Sequence, residues 1–349
     1  MPCQNLRQIN KAMKKHINIP IFVPHLGCPN DCSFCNQKKI TGVGTTVTAK
    51  DVENIVKRHL ATINTDTSEI EIGFFGGSFT GIEPNQQEEL LGVACDFLEK
   101  GKISGIRLST RPDYIDETIL DRLKKFGVTT IELGVQSMED DVLKKNMRGH
   151  TAKDTILASK LIKSYNIGLG HQLMLGLPGD TKETAIKTAE KSIELKPDCV
   201  RIYPTLVIRD TMLARWYENG SYAPLTLKDA VNQCKEILKL LRQADVNVIR
   251  MGLLSSDNIN PDADVLAGPY HPSFGELVES ELVYDALCEQ MAKTDAKKIE
   301  ISVNPRFVST LVGCRKENIK RLEETFNLSD FKIVQDEIVK LGNWRVKCI

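Results

Sequence analysis

Residues 17–23 and 27–36 read Ile17-Asn18-Ile19-Pro20-Ile21-Phe22-Val23 and Gly27-Cys28-Pro29-Asn30-Asp31-Cys32-Ser33-Phe34-Cys35-Asn36. A β-branched, apolar run thus leads into a loop that carries three cysteines at C-x3-C-x2-C spacing. A structural zinc site or an electron-transfer cluster normally takes four protein ligands. Three thiolates, Cys28, Cys32 and Cys35, instead leave one iron of a four-iron cluster open to bind something else, and chemistry can happen there. Gly27 and Pro29 suit a loop wrapped closely around a cluster, and Phe34 is placed to shield one side from water. The plainer alternatives are a zinc site completed by a distant ligand such as His25, or three incidental cysteines.

The other seven cysteines, Cys3, Cys95, Cys199, Cys234, Cys288, Cys314 and Cys348, lie singly, several among Ile, Leu and Val, where a free cysteine acts as a small hydrophobe. With 41% hydrophobic and 26% charged residues in 349, the chain has the material for a large core and too many charges for a membrane protein. Lys+Arg and Asp+Glu are equal at 46, so no whole-molecule field marks a nucleic-acid or membrane binder. Met1 to Lys15 lacks the apolar core of a signal peptide, and no run approaches the roughly 20 apolar residues of a membrane helix. The expected setting is cytoplasmic, where thiols stay reduced.

Working outward from the cysteine loop, short apolar runs alternate with segments of helical period, the signature of βα units. Six strands are expected: Ile17 to Val23, Glu69 to Phe75, Gly105 to Thr110, Val128 to Gly134, Ile167 to Met174 and Cys199 to Tyr203. All read as too apolar to have a solvated face, hence parallel and buried. Between the first two, Val52, Ile55, Val56, Leu60 and Ile63 recur at helical steps after Thr48, a plausible cap. Similar stripes, at Ala185, Ile186, Ala189 and Ile193 and at Val231, Cys234, Ile237, Leu238 and Leu241, read as core. Six units are fewer than the eight of a closed barrel, which leaves an incomplete, laterally open barrel or an open doubly wound sheet. Either arrangement puts ligand chemistry at the carboxyl ends of the strands. Three regions follow: a body over 1–250, a linker and helix over 251–297 (with Phe274 to Met291 helical), and a small α+β module over 298–349, where Ile299 to Val339 reads as strand, helix, strand.

With its C-x3-C-x-aromatic-C loop after the first strand, the chain resembles the radical S-adenosylmethionine superfamily. The resemblance implies an α/β fold, a partial (β/α)6 TIM-like barrel with the small C-terminal α+β module appended. It also implies a [4Fe-4S] cluster, S-adenosyl-L-methionine on its open iron, and a flavodoxin- or ferredoxin-type electron donor. Gly76-Gly77-Ser78-Phe79 is similar to the family's glycine-rich loop for the methionyl amino group, where glycine permits close backbone approach. Ser109-Thr110-Arg111-Pro112-Asp113 and Glu132-Leu133-Gly134-Val135-Gln136-Ser137 look like the segments that face the methionine carboxylate and the ribose, which marks Thr110 and Gln136. Arg111 and Arg148 could each make a bidentate pair with a carboxylate, or a surface ion pair instead. Leu175-Gly176-Leu177-Pro178-Gly179 resembles the adenine-side loop.

Within that superfamily, Asp113-Tyr114-Ile115, Leu133 to Ser137, Arg148-Gly149-His150-Thr151, Gly176 to Gly179 and Ile202-Tyr203-Pro204-Thr205-Leu206-Val207-Ile208-Arg209 look like the radical half of the Elongator catalytic subunit. That likeness implies modification of a tRNA base. Two features depart from it: no acetyltransferase pattern follows residue 250, and the first two cysteines stand closer together here. The coproporphyrinogen oxidase branch is a more distant likeness, so a small-molecule substrate such as a tetrapyrrole is one alternative and a non-catalytic iron-sulfur RNA-binding redox sensor another. Leu311-Val312-Gly313-Cys314-Arg315-Lys316-Glu317-Asn318-Ile319-Lys320-Arg321-Leu322 is similar to the loop-helix element of KH domains, with Lys316 in place of the second glycine. Arg306, Arg315, Lys316, Lys320 and Arg321 make a local basic face able to hold RNA phosphates, or simply a solvated helix. Tyr203, at the end of the last expected strand, is a candidate catalytic residue that meets substrate or returns a hydrogen atom. His150 and His171 read as interior, hydrogen-bonded histidines before substrate contacts.

Overall fold

The computed structural model describes residues 15–23, 32–36, 47–253 and 263–349. Cys28, with Gly27, Pro29 and His25, lies outside the described residues. Strands β1 (Lys15–Val23), β2 (Ser68–Gly76), β3 (Gly105–Thr110), β4 (Thr130–Gln136), β5 (Gly168–Leu175) and β6 (Cys199–Pro204) fall on the six expected segments. Between them lie helices α1 (Ala49–Leu60), α2 (Pro84–Glu99), α3 (Glu117–Lys125), α4 (Asp140–Lys145), α5 (Ala152–Ser164) and α6 (Lys182–Glu194). Thr48 caps α1 through a capping box, accepting from the Asp51 amide while the Asp51 carboxylate accepts from the Thr48 amide.

After β6 come a short strand β7 (Val207–Ile208), α7 (Met212–Glu218), α8 (Leu227–Gln243) and a strand absent from the sequence expectation, β8 (Asn247–Met251). It adds a seventh member to the sheet, whose order is β1 to β6 and then β8, every neighbouring pair parallel. This order decides between the two architectures left open above. A doubly wound sheet reverses its strand order partway; here every crossover steps the same way, and right-handed crossovers then place all the helices on one face. The sheet curls around its other face as a partial barrel open at the β1 and β8 edges.

The helix-facing side is the main core: Ile72 and Phe74 of β2, Ile106 and Leu108 of β3, Ile131 and Leu133 of β4, Leu169 and Leu173 of β5, and Val200 and Ile202 of β6 are all buried in one cluster. Each contributes about 1.5–3 kcal/mol by leaving water. His171 shares this side, its ring nitrogens 3.0 Å from Ser159 Oγ and 2.8 Å from Ser192 Oγ, and burial pushes its pKa down to about 3.

The concave side corrects the expectation that no strand has a polar face. By register, Glu71, Arg107, Glu132, Gln172 and Arg201 share it, one from each of β2 to β6. Arg107 bridges Glu71 and Glu132 at 2.7 and 2.8 Å, and Arg201 Nε donates to Glu132 at 2.6 Å. These are buried charges held by one another.

Strand β9 (Val265–Ala267) pairs antiparallel with β7. Helix α9 (Phe274–Met291) joins two cores, with Phe274 and Val278 in the barrel cluster and Val283, Leu287 and Met291 in that of the terminal module. The module runs β10 (Lys298–Val303), α10 (Val308–Val312), α11 (Glu317–Phe326), β11 (Asp330–Gln335) and β12 (Trp344–Cys348), one helix and one strand more than expected. β10 is central, parallel to β11 and antiparallel to β12. Among the described residues no helix is long and apolar enough to cross a membrane.

Candidate active site at the strand ends

The described part of the cysteine loop, residues 32–36, is fastened to two separate elements. The Ser33 amide donates to the Asn146 carbonyl at 3.1 Å, and the Leu213 amide of α7 donates to the Ser33 carbonyl at 2.7 Å. Ser33 Oγ donates to Asn146 Oδ1 at 2.7 Å, and the Asn146 amide group donates to the Val142 and Pro178 carbonyls. Asn146, 1% exposed, is thus a clamp that the sequence did not single out. Phe34 packs in a small apolar cluster with Val207, Leu213 and Trp216, which fixes the turn between Cys32 and Cys35.

The glycine-rich loop meets the cysteine loop's base directly, because the Gly77 amide donates to the Val23 carbonyl at the end of β1 (3.0 Å). Gly76 has φ +106, a conformation that favours glycine, so the turn depends on that residue. Ser78 and Thr80 hold the loop to β3: their hydroxyls lie 2.8 and 2.5 Å from Thr110 Oγ1, and Thr80 donates to the Tyr114 carbonyl. Thr110 and Ser78 are therefore engaged with one another and act on the loop's position.

Arg111 is held within the chain. Its guanidinium, 2% exposed, makes its bidentate carboxylate pair inside the chain, with Asp113 at 2.9 and 2.7 Å. Arg148 is held otherwise. Nη1 donates to Cys32 Sγ at 3.5 Å and Nη2 to the Gly134 carbonyl at 2.8 Å, while Nε is buried without a hydrogen-bond partner among the described residues. Gln136 closes β4 at φ +64 after a register shift in the β4–β5 ladder, and its Oε1 is likewise buried and unpartnered. Buried polar atoms are nearly always paired, so an orphan donor and an orphan acceptor near each other call for a polar ligand. His150 is buried nearby, and burial together with the Arg148 charge pushes its pKa down to about 3, so it stays neutral.

Leu175 is buried, and its carbonyl accepts from the Thr205 amide and hydroxyl at 2.9 and 2.6 Å. Tyr203 lies on the concave side beside Arg201 and Arg250, and burial pushes its phenol pKa up, so it remains protonated. In the terminal module Arg306, Arg315, Lys316 and Lys320 are exposed, whereas Arg321 pairs with Glu281 and stacks 3.6 Å from the Tyr284 ring centroid. Arg315, Lys320 and Arg321 line a groove of ≈ 1010 Å³ together with Lys228 and Lys235 of α8. Both Arg315 and Lys316 adopt positive φ, 52° and 61°, after Gly313 at 75°. Lysine thus adopts the backbone that a glycine would favour at that position.

Sequence reading missed the buried charges of the concave side. Their signal was a period of two in Glu69-Ile70-Glu71, Ile106-Arg107-Leu108 and Val200-Arg201-Ile202, which register alone turns into a network.

A [4Fe-4S] cluster and S-adenosylmethionine fit these residues on chemical grounds. The loop supplies thiols, a guanidinium donates to the Cys32 sulfur, and the orphaned Arg148 Nε and Gln136 Oε1 offer one donor and one acceptor.

Comparison with known proteins agrees with this arrangement. Residues 22–191 match the radical SAM superfamily and residues 197–284 the radical SAM C-terminal domain. Over 232 residues the chain is 31% identical to a tRNA uridine(34) acetyltransferase of Methanocaldococcus jannaschii, covering 61% of this chain and 42% of that protein. It is 34% identical over 167 residues to Elongator complex protein 3 of Saccharomyces cerevisiae, covering 47% of this chain and 30% of that one. The chain thus spans less than half the length of these two relatives. Among solved structures, the archaeal Methanocaldococcus infernus Elp3 lacking residues 1–46 superposes with a TM-score of 0.63 at 24% identity, over 79% of this chain and 64% of that one, which shows a shared fold.

Proposed function

Since the chain belongs to the radical SAM superfamily, we propose that it is a radical S-adenosylmethionine enzyme whose substrate is a base of tRNA. Cys28, Cys32 and Cys35 would hold the cluster, and Gly76, Gly77, Gln136 and Arg148 would receive S-adenosylmethionine. Bound there, the cluster and S-adenosylmethionine would supply one-electron, radical chemistry able to act on an unactivated carbon.

The chain's own residues do the rest. Asn146 and the α7 amide hold the cysteine loop against the barrel mouth, and Arg148 ties it to β4 by donating to Cys32 and to the Gly134 carbonyl. Ser78, Thr80 and Thr110 set the glycine turn. The helix-facing core and the buried charges of the inner wall keep water from the closed side of the barrel. Tyr203, protonated at neutral pH, stands on the inner wall where it can meet substrate or return a hydrogen atom.

The observation that carries this reading is the hydrogen bond from Arg148 to Cys32 beside two unpartnered buried polar atoms. The tRNA substrate draws support from the relatives named for tRNA uridine(34) and from the exposed basic side of the terminal module, with Arg306, Arg315, Lys316 and Lys320 as its RNA contacts. A flavodoxin- or ferredoxin-type donor and a cytoplasmic setting complete the proposal. Mass spectrometry of bulk tRNA nucleosides from cells with and without the gene tests it: one modified uridine should disappear with the gene, and an unchanged profile would remove tRNA as the substrate.

A further inference from the structure

Among the described residues, the concave wall carries one cation more than its partners neutralise. Glu71 is taken by Arg107 and His16, and Glu132 by Arg107, Arg201 and Gln172. The third arginine of this wall, Arg250, comes from β8. Half-buried, it forms no ion pair among the described residues, although Tyr203, Arg201 and Glu132 are its electrostatic neighbours.

Its placement is the work of a bulge. In the β6–β8 ladder Val200 pairs with Val248, but Arg201 pairs with Arg250, so Ile249 is the extra residue. Without it, Ile249 would stand beside Arg201 on the inner wall and Arg250 would point to the helix side, where Val248 and Met251 pack on the core. The bulge leaves Ile249 36% exposed and turns a guanidinium inward at the carboxyl end of an edge strand. Bulges beside active sites re-aim side chains in this way, and burying an unpaired guanidinium is costly unless something pairs with it. Both burial and Arg201 act against its charge, which a bound anion would relieve.

We propose that Arg250, with the neighbouring Tyr203 hydroxyl as second donor, forms an anion subsite at the open β8 edge of the barrel, and that the anion is a phosphate of the nucleic-acid substrate. The subsite is read from the wall itself, and only the identity of its anion rests on the tRNA proposal. A guanidinium presents two parallel donors to two phosphate oxygens, and a protonated phenol adds a third. Anchoring a phosphate at the edge would aim the attached base toward the strand ends.

The test uses the anaerobically reconstituted full chain and saturation-transfer NMR with uridine 5′-monophosphate and uridine as probes. The wild type should prefer the monophosphate by about 10-fold, Arg250→Gln should bind the two alike, and Arg250→Lys should keep part of the preference. No preference in the wild type, or a full preference in Arg250→Gln with an unchanged circular dichroism spectrum, overturns the subsite. Succinate displacing uridine 5′-monophosphate from the wild type at lower concentration would overturn the phosphate assignment in favour of a carboxylate. With an anticodon-sized RNA hairpin, Arg250→Gln should lower the slope of log affinity against log salt by about 0.7. If the mononucleotide result holds and the hairpin does not bind, the subsite stands and the tRNA substrate falls.

Discussion

Replacing Glu132 by glutamine removes the charge on which the inner wall converges. The carboxylate is 1% exposed and accepts from Arg201 Nε at 2.6 Å and Nη2 at 2.9 Å, from Arg107 Nη1 at 2.8 Å and from Gln172 Nε2 at 3.1 Å. Glutamine has the same volume, so no cavity forms. Its amide nitrogen, however, turns a donor toward guanidiniums that can only donate. Arg107 keeps Glu71, but Arg201 is left buried with no carboxylate partner among the described residues. Breaking a buried pair by removing one partner costs about 3–5 kcal/mol. With a denaturant slope near 3 kcal/mol per M, the urea midpoint falls by about 1–1.7 M. Equilibrium unfolding at pH 7.5 followed by far-ultraviolet circular dichroism reads this directly. A midpoint within about 0.3 M of wild type would show that the network contributes little and that the reasoning about the inner wall is wrong.

Three further outcomes follow from the same structure. His150 and His171 are held neutral with folded pKa values near 3 against 6.5 when free, so their stabilisation is complete above about pH 6.5 and declines as pH falls toward 3; the unfolding free energy should be lower at pH 5 than at pH 7.5 by up to about 2 kcal/mol per histidine, read as a lower urea midpoint, and an unchanged midpoint would contradict it. Burial raises the Glu132 pKa, but hydrogen bonds and charge from Arg201, Gln172 and Arg107 outweigh it and hold the pKa below 4.5; wild type should therefore lose a further increment of stability below about pH 4.5 that Glu132→Gln lacks, as paired acid titrations would reveal. Thr110→Val cuts the hydroxyl contacts to Ser78 and Thr80 at a cost of about 1 kcal/mol and should weaken S-adenosylmethionine binding by roughly 5-fold in calorimetry, with unaltered affinity counting against the positioning role.

Much of the fold was legible because its strands are bounded by periodic helices: Gly105–Thr110 and Phe274–Met291 fall on the expected limits, and Thr48 caps as its residue type suggests. The seventh strand was not legible, since Asn247-Val248-Ile249-Arg250-Met251 is an edge strand with a bulge, and the extra residue breaks the alternation by which a strand is recognised. The inner charges escaped for another reason. Glu71, Arg107, Glu132 and Arg201 stand singly in strands that read as apolar on both faces, and only closure of the sheet sets them against one another. At the site, residue type marks the thiols and glycines as candidates, whereas the pairing of Arg111 with Asp113 depends on a local turn that brings Asp113, two residues on, back to it. Asn146 shows the limit most plainly, because an asparagine between Lys145 and Met147 carries no sign that it clamps a loop 113 residues earlier.

Iron and acid-labile sulfide per chain after anaerobic reconstitution, with zinc measured on the same sample, bear most directly on the account. Four irons and four sulfides are predicted for the wild type and loss of most of both in Cys32→Ser. One zinc per chain and no sulfide would contradict it.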